Sequence, residues 1–167
     1  MQVKKIWAMY WSATGTTKTV VTAVAGKMAD KLGLPLEEYD FTLPAERQGA
    51  PEFGPEDVVV FGTPTYAGRV PNVQLKYLAT VKGNGAAAVP VVTFGNRAFD
   101  DSLIELRDIL ADNGFRPFAA AAFACEHSFS TTLAAGRPDA DDLALAAQFA
   151  GEAAARVPAL DADTQVI

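Results

Sequence analysis

Apolar positions along this chain switch repeatedly between two periods. Residues 3–9 form a β-rich apolar run, and from Lys18 the spacing becomes helical. Val20, Val21, Val24, Ala25, Met28, Ala29 and Leu32 share one helix face, which Gly33 and Pro35 terminate. Residues 36–41 predict a short second strand, after which Pro44, Gly49, Pro51, Gly54 and Pro55 read as loop. The unbroken run 58–61 has the pattern of a strand buried on both faces. Pro71 predicts the start of a helix through Val73, Leu75, Leu78 and Val81. Residues 89–94 predict a fourth strand, with Pro90 placed at the start of its paired region because proline has no ladder donor. Ser102 and Glu105 fit a capping box for a helix carrying Leu103, Leu106, Ile109 and Leu110 and closed by Gly114. Residues 115–123 predict a fifth strand. Asp139, Asp141 and Asp142 suit the positive end of a last helix whose stripe is Leu143, Ala146, Ala147, Ala150, Ala154 and Val157, widened by Leu145 and Phe149.

Strands alternating with helices require crossover connections, so the expected fold is α/β with a doubly wound five-stranded parallel sheet. Strand order 2-1-3-4-5 would bring strands one, three and four side by side. Ligands in such sheets bind beyond the carboxyl ends of the strands. Residues 1–158 are expected to form one domain and 159–167 a loosely held tail.

Composition narrows the chemistry. Half of the 167 residues are hydrophobic and a fifth charged, a globular balance. The net charge of -6 disfavours nucleic acid, which binds basic surfaces. One cysteine, Cys125, excludes an internal disulfide and any cluster or metal site built from several thiolates; no metal is expected. The first apolar run breaks at Ser12, too soon for a signal-peptide core or a membrane span, and a cytoplasmic setting is the corresponding expectation.

Three loops fall at the carboxyl edge. The first holds Ser12, Ala13, Thr14, Gly15, Thr16 and Thr17 between strand and helix. Such hydroxyls and free backbone N–H groups either cap the following helix or converge on a phosphate. The second holds Thr63, Pro64, Thr65, Tyr66, Ala67, Gly68 and Arg69; the third Gly95, Asn96, Arg97, Phe99 and Asp100. Tyr66 and, less directly, Trp11 and Phe99 offer aromatic faces to a flat ring, or are packing residues. His127 has no evident nucleophile or metal partner, so a structural hydrogen bond is favoured over proton donation. Cys125 reads as a buried packing residue and Arg137 as a loop clamp.

The stretch 10–18 resembles the FMN-phosphate loop of the flavodoxins, and 62–68 with 95–97 resemble their two ring-binding loops. A closer likeness, in 66–71, 95–101 and 126–128, is to the flavodoxin-like domain of flavodoxin–ferredoxin fusion proteins, here without the iron–sulfur part. The resemblance implies a flavodoxin-like fold with FMN held by Ser12 to Thr17, Thr63 to Gly68, and Gly95, Asn96, Arg97, Phe99 and Asp100. It implies no catalytic side chain. The protein would be a monomer or weak dimer exchanging electrons with a reductase or ferredoxin-like partner. The alternative is an FMN-dependent NAD(P)H:quinone-type oxidoreductase. Ala8, Met9 and Val21 depart from the usual pattern. So do Arg69 and Arg97, either of which would favour the anionic reduced flavin if its guanidinium reached the ring.

Overall fold

The computed structural model describes residues 2–161 and 167. The order of elements is β1 (Lys5–Tyr10), α1 (Thr16–Leu32), β2 (Leu36–Asp40), β3 (Asp57–Pro64), α2 (Asn72–Leu78), β4 (Ala87–Phe94), α3 (Ser102–Asp112), β5 (Arg116–Pro117), β6 (Ala121–Ala124) and α4 (Ala140–Arg156). Every strand pairing is parallel, in the order β2-β1-β3-β4-β5, with β6 continuing beside β4. The doubly wound sheet read from the sequence is therefore present.

The expected fifth strand is two pieces. Ala88 faces Pro117 and Val91 faces Ala121, so residues 118–120 oppose only 89–90 and the edge bulges. Pro90 lies at this point, in mid-strand opposite Phe61, and not at the start of pairing as expected. Its missing N–H is accommodated where the neighbouring strand leaves the ladder.

Alternation along β1 and β3 feeds two cores. Ile6, Ala8, Tyr10, Val58 and Val60 pack with α1 and the alanines of α4, Ala146, Ala150, Ala153 and Ala154. Trp7, Met9, Val59 and Phe61 pack with Tyr77 and Leu78 of α2 and Leu106 and Leu110 of α3. Gly62 lets α1 lie close to the sheet, since a Cβ there would fall 2.1 Å from Cγ2 of Val21. That contact gives Val21 its place against β3.

Two helix stripes differ from expectation. α2 ends at Leu78 and buries Gln74, Tyr77 and Leu78, leaving Val73 66% exposed, because Pro71 sets the phase of a short helix. In α4, Leu145 points to solvent while Phe149 packs on Phe123. Of the expected tail, Leu160 is buried in the first core and the Ile167 N–H donates to the Pro117 carbonyl; residues 162–166 lie outside the described residues. Among the described residues no helix is long and apolar enough to cross a membrane.

Candidate functional site

The turn from β1 into α1 opens at the carboxyl edge. Gly15, at φ 92°, is the N-cap of α1 and carries no side-chain cap, and the first helical turn contains no acidic residue. The first turn of this 17-residue helix thus brings no anion of its own to the positive end, although Glu126 lines the cleft above it. Ser12 shapes the turn: its N–H donates to Thr42 Oγ1 at 2.9 Å, and its Oγ accepts from the Lys18 N–H at 3.0 Å. Thr14 and Thr16 line the cleft above the helix with Ser128. Thr17 is buried and its hydroxyl pairs with that of Thr93 at 2.8 Å, so it ties the turn to β4. Burial, helped by the Asp142 carboxylate, pushes the Cys125 thiol up to about 12 against a smaller opposing effect of Thr16. Cys125 is therefore an inert packing thiol at neutral pH.

The loop after β3 is a tight hairpin. The Tyr66 N–H donates to the Arg69 carbonyl at 2.9 Å and the Arg69 N–H to the Tyr66 carbonyl at 3.1 Å. Its central residues, Ala67 at φ 51° and Gly68 at φ 75°, both take left-handed backbone, as a type I′ turn requires. The start of α3 holds this hairpin. Ser102 and Thr65 hydroxyls meet at 2.7 Å, the Asp101 N–H donates to the Gly68 carbonyl at 3.0 Å, and the Asp100 side chain packs on Gly68. Glu105 receives Arg69 through Nε at 2.8 Å and Nη2 at 2.9 Å, and the Val70 N–H at 2.9 Å. The expected capping box does not form: Asp101 is the N-cap of α3 with no side-chain cap, because Ser102 and Glu105 turn to the hairpin instead.

Arg69 is consequently committed to Glu105, whose carboxyl is held below its usual range by that guanidinium. Arg97 pairs with Asp100 at 2.6 Å. Trp11 is buried behind Tyr66, edge-on at 5.8 Å and 80°, and so backs that ring rather than facing the site. Phe99 packs edge-on against Phe94 at 5.4 Å and lines a separate depression with Asp100, Leu103 and Ile104. Of the third loop only Gly95 borders the cavity beside Tyr66; Asn96, Arg97, Phe99 and Asp100 do not.

That cavity, of about 480 Å³, is bounded by Thr14, Thr65, Tyr66, Ala67, Gly95, His127, Ser128 and Phe129. Thr63 is buried in β3 beneath it, and Pro64 lines the adjoining cleft. Its far wall, 127–129, was not among the site residues expected from the sequence. The available signal was the likeness at 126–128, in which only His127 carries an expected role, as a structural hydrogen-bonding residue or, in the reductase alternative, as part of a substrate pocket. His127 lies on Gly95, where a Cβ would come within 2.6 Å of Cδ2, and its Nδ1 accepts the Phe129 N–H at 3.1 Å. The structural hydrogen bond expected of His127 is thus present, inside the cavity wall.

No family model matches the sequence, and no curated protein matches it. Solved structures do. A flavodoxin from Streptococcus pneumoniae TIGR4 superposes with a TM-score of 0.62 at 20% identity, over 91% of this chain and 99% of that one. Oxidised flavodoxin 1 from Bacillus cereus gives 0.64 at 16% identity, over 95% of this chain and 100% of that one. The fold is that of the flavodoxins. Rubredoxin oxygen:oxidoreductase from Desulfovibrio gigas also matches, with a TM-score of 0.63 at 17% identity over 95% of this chain, which spans 37% of that protein.

Within this flavodoxin fold the cleft over α1 and the cavity beside Tyr66 adjoin, sharing Thr14, Thr65, Tyr66, Gly95 and Ser128. One end offers hydroxyls and the positive end of a helix. The other offers an aromatic side chain and space in the range of small-molecule sites. Among the described residues no cluster of His, Cys, Asp and Glu could hold a metal ion.

Proposed function

We propose that the chain binds FMN across these adjoining cavities and carries electrons between redox partner proteins, one a reductase or ferredoxin-like donor or acceptor. The observation that carries the reading is the junction at Thr14 and Thr65, where an anion-binding end and a ring-sized cavity meet. An amphiphile with a phosphate at one end and a planar ring at the other fits that arrangement.

FMN supplies the redox chemistry when bound, in steps of one or two electrons. The chain holds and shields it. Hydroxyls of Thr14 and Thr16 and backbone N–H groups of 13–17, with the α1 dipole, hold the phosphate. Tyr66, 42% exposed and backed by Trp11, covers a ring face. The Ala67–Gly68 peptide takes no part in the Tyr66–Arg69 pairing and is available to the ring's polar edge. Arg69 and Arg97 spend their charge on Glu105 and Asp100. The ring end then receives no unpaired cation from these two residues, which supports a carrier over a high-potential oxidant.

Reconstitution with FMN followed by a visible spectrum tests binding, and an anaerobic reductive titration tests the role. Flavin bands with two resolved one-electron steps are expected. Rapid NAD(P)H oxidation in the presence of a quinone would instead identify an FMN-dependent reductase, and a colourless protein would overturn both.

A further inference from the structure

The connection between β6 and α4 is more highly ordered than its irregular path suggests. Arg137 grips Asp142 through Nε at 2.9 Å and Nη2 at 2.5 Å, the Glu126 N–H donates to the Arg137 carbonyl at 3.0 Å, and the Gly136 N–H donates to Glu126 Oε2 at 2.8 Å. These bonds fix the base of the loop, while its tip reaches the cavity. There Phe129 is 96% exposed although its backbone N–H is tied to His127. A large aromatic ring left in water forgoes the favourable burial of its apolar surface. Its place on the rim of a cavity provides the surface that would recover it. Because Nδ1 of His127 accepts, the neutral imidazole carries its proton on Nε2 and keeps a donor in hand.

Occupancy of the cavity sharpens the point. Tyr66 can cover only one face of a flat ring, and the loop after β4 contributes no aromatic side chain, only Gly95. The other face would stay bare without the β6–α4 connection. We propose that 127–129 is the second wall of the ring site: Phe129 folds onto the flavin face that Tyr66 leaves uncovered, and His127 Nε2–H donates to a heteroatom on the ring's rim. This rests on the FMN reading above.

The test titrates the purified protein with FMN and with riboflavin, which lacks the phosphate, following absorption and flavin fluorescence. Wild type is expected to bind FMN with its fluorescence quenched by aromatic contact. Phe129→Ala should weaken both ligands about tenfold, while Phe129→Trp keeps affinity. His127→Ala should raise the Kd severalfold and His127→Gln, which retains a donor, should rescue it. Since the Phe129 ring is in solvent, its removal leaves the melting temperature unchanged, so any loss reports on the site. If wild type binds FMN and Phe129→Ala leaves the Kd unchanged, the second wall is wrong while FMN binding stands. If wild type does not bind FMN, both readings fall.

Discussion

Glu105 of α3 and Arg69 of the hairpin form a two-pronged pair at 2.8 and 2.9 Å, and the same carboxylate also accepts the Val70 N–H. One helix side chain thus fixes both the far end of the hairpin and the direction of its arginine. Arg69 is 59% exposed and Glu105 16%, so most of the charge–charge energy is screened and the backbone bond carries more of the effect. Glu105→Gln is expected to cost roughly 0.5–1 kcal/mol and Glu105→Ala roughly 1–2 kcal/mol. The pH dependence has a definite sign. The Glu105 carboxyl titrates below its usual 4.5, so its contribution is complete above that value and is lost as pH falls through the lower one. Melting curves of wild type and Glu105→Gln should therefore converge in acid and separate at neutral pH.

The same reasoning applies to Asp142. Its carboxylate accepts both Arg137 contacts and the Asp139 N–H and is nearly buried, and Arg137 with its hydrogen bonds holds it down to about 2. Asp142→Asn is expected to destabilise by roughly 1.5–3 kcal/mol, the range for hydrogen bonds to a charged group. The native contribution is full above the ordinary carboxylate value of 3.8 and disappears as pH falls toward about 2. Urea midpoints measured across that window check it. Because Asp142 anchors the base of the loop bearing His127 and Phe129, FMN affinity should also fall, even though Asp142 borders neither cleft nor cavity.

Periodicity was enough to read the sheet, because apolar runs such as 58–61 and the switch to helical spacing at Lys18 are set by burial within single elements. The hydroxyl turn was legible for the same reason, being a local feature between a strand and a helix. What escaped is decided between elements. Ser102 and Glu105 have the spacing of a capping box, yet Thr65, Arg69 and Val70 offer them partners that a sequence window on α3 does not contain. Pro90 was misplaced because its tolerance depends on a bulge in the adjacent strand. His127 and Phe129 reach the cavity across a long irregular connection, where neither period applies. Thr17, chosen for its hydroxyl, lines the cleft but pairs that hydroxyl with Thr93, because it falls on the buried face of α1.

Cys125 offers a chemical test of the cleft's rear wall. With its thiol pushed up to about 12 by burial, the reactive thiolate is scarce at neutral pH. A thiol-specific reagent at neutral pH is expected to leave the native protein unmodified and to titrate one equivalent once denaturant is added. The neutral thiol favours the folded state below the ordinary value of 9, and that contribution is lost as pH climbs from there toward about 12. Rapid labelling of the native protein would mean that the thiol is not enclosed by Thr16 and the end of β6.

Gly95 joins the third loop to the proposed second wall, and its requirement is steric. A Cβ there would lie 2.6 Å from His127 Cδ2, 3.0 Å from Cγ and 3.1 Å from Cα. Swinging the imidazole away would relieve the first two contacts but not the third, which is backbone. Gly95→Ala must therefore push the 126–129 segment outward, at a cost of roughly 1–3 kcal/mol. Gly26 in α1 is the matched control, with nothing within 4 Å of its added Cβ. There alanine should stabilise by roughly 0.5–1 kcal/mol through helix propensity. Thermal melts of the two variants should move in opposite directions. FMN titrations carry the functional half of the prediction: Gly26→Ala leaves the Kd unchanged, whereas Gly95→Ala weakens binding as Phe129 and His127 are displaced together. Equal affinity in both variants would show that the ring does not depend on this wall.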